Sequence, residues 1–182
     1  MIRQRALQNP TRQWFHSYEG ADFLRRWNDL GDAKDIDTTT TFGNLTGTDK
    51  WIGGILAPNG CIYGIPRNST TVLKIDPATD TISTFGNLTG TAKWAGGILA
   101  PNGCIYGIPY NSTAVLKIDP ATDTISTFGS VGTGTAKWIG GILAPNGCIY
   151  GIPRNSTTVL KIDPDDHEVA LIMALQAYVN KF

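Results

Sequence analysis

Hydrophobic positions come in short bursts cut by breakers, and the pattern of bursts repeats about every 43 residues. In the first full cycle the bursts are residues 51–57 (Trp-Ile-Gly-Gly-Ile-Leu-Ala), 61–65 (Cys-Ile-Tyr-Gly-Ile), 70–75 (Thr-Thr-Val-Leu-Lys-Ile) and 81–85 (Thr-Ile-Ser-Thr-Phe). Their β-branched and aromatic content predicts four β-strands. Between them stand Pro58-Asn59-Gly60, Pro66-Arg67-Asn68-Ser69 and Asp76-Pro77-Ala78-Thr79-Asp80. The breakers come too close together for helices. Asn59-Gly60 predicts a two-residue hairpin turn with φ > 0 at both positions. In the third turn Pro77 presets φ, and Asp76 is placed to accept a bond from the N–H two residues on. Val72, Leu73 and Ile75 put apolar side chains on both faces of their strand. That predicts sheets covered on both sides rather than half-exposed ones.

The repetition is close to literal. Residues 41–83 and 84–126 align with an offset of 43 and differ at four positions: Asp49/Ala92, Ile52/Ala95, Arg67/Tyr110 and Thr71/Ala114. A third copy begins at Thr127, gains one residue within 129–134, and runs to Pro164. Four short strands recurring at this period match β-propeller blades. The predicted fold is all-β, a propeller-like array of three four-stranded blades at 37–164 (about 41–83, 84–126 and 127–164). An N-terminal flank occupies 1–36 and a C-terminal helix 165–182. Gly53-Gly54 suits the hub, where blades converge and side chains would collide. Trp51, Trp94 and Trp138 suit wedges between blades, each burying about 150–250 Å².

The segment 68–80, Asn-Ser-Thr-Thr-Val-Leu-Lys-Ile-Asp-Pro-Ala-Thr-Asp, resembles the blade motif of virginiamycin B lyase-like propellers, with Asp80 where Gly is usual. Residues 51–63, with Trp-Ile-Gly-Gly-Ile-Leu-Ala-Pro-Asn-Gly followed by Ile62-Tyr63, resemble uncharacterised repeat proteins of single-celled eukaryotes. The resemblance covers residues 37–164 and implies the fold. In the lyase-like family, catalysis rests on a His and a metal-binding carboxylate at the mouth of the ring. Neither carries over, because the only histidines, His16 and His167, lie outside the repeats.

Three blades are fewer than the four to eight that usually close a propeller. Three resolutions are open. A homodimer completes a six-bladed ring, the chain is a fragment of a longer repeat protein, or the flanks cap the open faces. Residues 37–42 match 80–85 and supply a fourth strand ahead of the first full set, whereas the last copy loses its own after Pro164. The early strand is therefore expected to complete the last blade, within the chain or by exchange in a dimer. Ala21 to Leu30 reads as a short helix. In residues 165–181, Asp165 and Glu168 form a variant capping box, and the apolar positions cover most sides. Such a helix suits packing on an open blade or docking on a partner.

Charge and composition remove several function classes. Fifteen basic and fifteen acidic residues balance, which argues against nucleic-acid binding. No apolar run is long enough for a membrane helix. The N-terminus has no signal-peptide core, so the expected location is the cytoplasm. Cys61, Cys104 and Cys148 are spaced 43 and 44 residues apart, neither a metal pattern nor a disulfide pair. Three buried free thiols are expected. The sequons at Asn44, Asn68, Asn87, Asn111 and Asn155 read as turn chemistry.

No nucleophile, zinc or phosphate-loop motif appears. The repeat aspartates sit mainly at turns. Lys74, Lys117 and Lys161 recur on the third strand, either as snorkelling side chains or as a ring of charge around a ligand. The remaining signal is where near-identical copies differ. Arg67, Tyr110 and Arg154 occupy one turn edge and are typical binding anchors. The functional expectation is a non-enzymatic binding or interaction scaffold, with no cofactor or metal, for a protein or small-molecule ligand. A lyase- or lactonase-like propeller enzyme is the alternative.

Overall fold

The structure, a computed structural model, describes residues 39–164. The first blade is β1 (Trp51–Leu56), β2 (Ile62–Pro66), β3 (Val72–Asp76) and β4 (Thr81–Phe85). The second is β5 (Trp94–Leu99), β6 (Ile105–Pro109), β7 (Val115–Asp119) and β8 (Thr124–Phe128). The third is β9 (Trp138–Leu143), β10 (Ile149–Pro153) and β11 (Leu160–Ile162). Each is an antiparallel meander in chain order, so the described residues form three sheets of four, four and three strands, with no helix. Predicted and observed strand ends agree within two residues, because Pro, Gly and Asp set them.

Two expectations need correction. The third blade has three strands, and residues 39–42 carry none. Their threonine run has strand composition but finds no edge within the described residues. The helices expected at 21–30 and 165–181 lie outside the described residues. The Asn59-Gly60 turn is also not the expected type. Gly60 has φ 81° but Asn59 is not left-handed. The turn is centred one residue earlier, on Pro58-Asn59, because Pro58 presets the φ near −65° that suits a first centre. The Gly60 N–H donates to the Ala57 carbonyl (3.0 Å), and Asn59 Oδ1 accepts from the Cys61 N–H (3.1 Å).

Side chains alternate along each strand, and both faces are used. One face of the first blade presents Tyr63, Ile65 and Val72, all fully buried against Trp94, Ile105, Leu116 and Ile118 of the second. The second blade presents Tyr106, Ile108 and Val115 to Trp138, Ile149, Leu160 and Ile162 of the third in the same way. The core is therefore two copies of one blade-to-blade interface. Two of the three predicted tryptophan wedges are present, while Trp51 on the first blade is only half-buried. Trp94 and Trp138 are buried, and their indole N–H groups donate to the Ala114 and Thr158 carbonyls at 3.0 and 2.8 Å.

First strands lie beside one another, β1 against β5 and β5 against β9, so they form the hub. A Cβ added to Gly96 would meet the Gly140 Cα at 3.2 Å. Only a bare backbone admits this approach, as the paired glycines predict.

Ala92 and Ala136 hold left-handed backbone (φ 46° and 51°) just before the hub strands. That conformation costs an alanine about 1–2 kcal/mol. Ala92→Gly should therefore raise stability, by up to about 1 kcal/mol after the glycine's extra chain entropy. Urea unfolding should show the midpoint rise at an unchanged slope.

Candidate functional site

The turns between second and third strands gather at one end of the sheets. There the Arg67, Asn68 and Ser69 N–H groups converge on the Lys50 carbonyl at 2.9–3.2 Å. Tyr110 and Arg154 repeat this on the Lys93 and Lys137 carbonyls at 2.9 and 2.8 Å. The next blade then ties on. The Lys93 N–H donates to the Arg67 carbonyl (3.0 Å), and the Lys137 N–H to the Tyr110 carbonyl (2.9 Å). Equivalent residues of successive blades thus become neighbours.

The three residues singled out by their variation fall in one row. Tyr110 lies between two guanidinium groups, with Arg67 Cζ 5.6 Å and Arg154 Cζ 5.4 Å from its ring centroid. The Arg154 Nη1–H also donates to the Tyr110 hydroxyl. Such stacking holds a cation over the negative ring face. Among the described residues no carboxylate pairs with either guanidinium. Arg67 is half-buried, and its Nε–H is buried without a hydrogen-bond partner. An unanswered buried donor of this kind is uncommon in folded proteins. The row carries two positive charges, one of them with a free donor.

Other candidates have structural employment. The Lys74 ammonium pairs with the Asp123 carboxylate of the next blade, which also accepts from the Tyr63 hydroxyl at 2.8 Å. The carboxylate holds the Lys74 pKa above its usual value. Burial, foremost, raises the Tyr63 phenol. Asp80 and Asp123 both have φ 52°, which explains why Gly is usual there. Asp123 accepts that backbone and supplies the carboxylate that clasps the blade before it. Lys117 stands 6.0 Å from the Tyr106 ring, in an open cavity of about 280 Å³ with Ser126, Phe128 and Asp163. Lys74 and Lys117 thus lie where successive blades meet, whereas Lys161 is exposed on the last blade. Of the three cysteines, expected to be buried, only Cys148 is, while Cys61 and Cys104 are half-buried. Asn68 Oδ1 and Asn111 Oδ1 accept the Ala92 and Ala136 N–H groups at 2.7 and 2.8 Å, ties to the connector of the next blade rather than the local turn bonds expected of them.

Sequence reasoning missed Lys93 and Lys137. Both are buried. The Lys93 Nζ donates to the Arg67, Ser69 and Gly90 carbonyls at 3.1, 2.7 and 3.0 Å. The Lys137 Nζ donates to the Ser112 and Gly134 carbonyls at 2.8 and 2.9 Å. The signal was a Lys-Trp pair unchanged in every copy.

A family profile described as "Repeat of unknown function (DUF6923)" matches residues 16–177. No curated protein matches the chain. Among solved structures, catalytically inactive virginiamycin B lyase from Staphylococcus aureus with quinupristin is similar, with TM-score 0.54 and 12% identity over 73% of this chain and 48% of that one. An auxiliary nutrient binding protein from Bacteroides ovatus gives TM-score 0.51 and 19% identity over 69% and 31%. The chain thus spans less than half the length of either protein. These likenesses establish a propeller-like repeat fold. No helix among the described residues is long and apolar enough to cross a membrane.

Proposed function

The chain belongs to the family described as Repeat of unknown function (DUF6923), and from that premise we propose a non-enzymatic binding scaffold whose ligand contact is the Arg67–Tyr110–Arg154 row. The observation that carries this reading is the pair of guanidinium groups flanking one phenol, with a buried Arg67 donor left unanswered. The row falls where copies identical at 39 of 43 positions differ. Planar guanidinium forks suit carboxylate and phosphate groups, so the ligand class is anionic. The fold serves lyase and binding protein alike and does not choose between them. The enzyme alternative needs a histidine at the mouth of a ring, and His16 and His167 lie outside the described residues.

Titration with inorganic phosphate and with citrate, followed by NMR of the arginine Nε–H signals, tests the proposal. Saturable shifts of the Arg67 and Arg154 signals are expected, weakened at least tenfold in Tyr110→Ala. Absence of saturable shifts with either probe would count against the site. Stoichiometric divalent metal in the purified protein would count against a non-enzymatic role.

A further inference from the structure

We infer that the two ends of the blade array dock head to tail on a second copy of the chain, so that two chains close one six-bladed ring. The face of the last blade repeats the one that each earlier blade buries. Ile152 and Val159 stand where Ile65 and Val72 stand, yet are 50% and 60% exposed instead of fully buried. The opposite face, on the first blade, repeats what the second and third blades bury. There Leu56 is 61% exposed, and Trp51, buried in its later copies, is only half-buried. Each open face is thus the known partner of the other.

The polar ties repeat in the same sense. Lys161 is the copy of Lys74, and Asp80 of Asp123, the pair that clasps the first two blades. Asp80 already holds the backbone of Asp123, both at φ 52°. Lys50 donates to two carbonyls of its own linker, at Leu45 and Gly47. Its copy Lys93 adds two carbonyls from the preceding blade, Arg67 and Ser69. Docking supplies their counterparts at Arg154 and Ser156.

The missing strand fits the same arrangement. Residues 39–42 repeat the end of β4 and lead into β1 as β4 leads into β5. Among the described residues the third blade ends at β11, with no strand paired to its outer edge. In the ring this segment of each copy becomes the outer strand of the other copy's third blade. Phe42, 47% exposed, then packs on Tyr150 as Phe85 packs edge-on against Tyr63 at 6.1 Å. The flanks 1–38 and 165–182 contain neither the Trp-x-Gly-Gly nor the Asn-Ser-Thr segment that builds the internal interfaces. A second copy contains both. A head-to-tail contact that closes after two copies gives a two-fold ring.

Charge exchange tests this. By analytical ultracentrifugation the wild-type chain should run at twice 19.6 kDa. Lys161→Asp and Asp80→Lys, each alone, should lower the association constant at least tenfold. Mixed in equal amounts they should regain the two-chain mass, since both interfaces of the mixed ring carry opposite charges. Val159→Asp, at an exposed position, should also give a single-chain mass with thermal unfolding still cooperative. A wild-type mass of one chain, or an open-ended polymer, would overturn the ring. So would single-charge variants that stay paired, or a mixture that fails to recover.

Discussion

Ile65→Ala is expected to cost about 2–5 kcal/mol of unfolding free energy, the range for truncating a fully buried isoleucine. The identical change at Ile152 should cost about 0.5 kcal/mol or less in dilute solution, as at other exposed positions. The two residues share chemistry, strand position and flanking sequence. Only the neighbour differs: Ile65 is fully buried under the second blade, whereas Ile152 is half exposed. Urea unfolding followed by tryptophan fluorescence measures both, and the midpoint should move at constant slope if compactness is unchanged. If two chains form a ring, the Ile152→Ala cost should grow with protein concentration while that of Ile65→Ala does not. Equal costs at low concentration would show that the end of the array is covered within one chain.

Lys93→Met should destabilise by about 2–3 kcal/mol, while Lys50→Met should be nearly neutral in dilute solution, where no second copy covers it. The methionine matches the lysine in bulk but cannot donate. The Arg67 carbonyl keeps the Lys93 backbone N–H, whereas those of Ser69 and Gly90 lose the ammonium. A buried acceptor stripped of its donor costs about 1–3 kcal/mol. The Lys50 contacts are exposed to water, which replaces the lost donor. Burial lowers the Lys93 pKa from 10.5. As pH rises through that lowered value toward 10.5, the unfolded chain binds more protons than the folded one. This lysine's contribution is thus least favourable below the folded pKa and rises across that window. Unfolding free energy of wild type minus Lys93→Met, measured from pH 8 to 10.5, should increase. A flat difference would mean that the ammonium is solvated in the folded protein.

The strands were legible because their limits are set by local chemistry, Pro, Gly and Asp at fixed offsets within each copy. Burial on both faces was legible in Val72 and Leu73, adjacent apolar residues that point to opposite faces of their strand. The hairpin turn was misread because Asn59-Gly60 was weighed without Pro58, whose ring had already fixed the chain's direction. The strand at 37–42 was read from composition, but pairing needs an edge, and residues 39–42 have none among the described residues. Lys93 escaped notice because a lone charged side chain reads as surface. Its three carbonyls come from residues up to 26 positions away and meet only once the blades stack. The Arg67, Tyr110 and Arg154 row was visible as variation. Its geometry, two cations about one ring, depends on the blade-to-blade ties at their carbonyls.

The near-identity of the two internal interfaces bears on how the chain finds its fold. A blade face cannot distinguish the neighbouring blade from the next one, or from a blade on another molecule, by its contacts alone. The connecting segments 86–93 and 129–137 must do the sorting. Their short reach gives the adjacent blade a high effective concentration over every competitor. Both segments are also pinned, with the Leu88 N–H on the Thr70 carbonyl (2.7 Å) and the Val131 N–H on the Thr113 carbonyl (2.9 Å), despite the extra residue in the second. Order along the array is thus a matter of tether length rather than of recognition. Loosening a connector would yield scrambled blades and entangled chains, each well packed locally, before any loss of strand content.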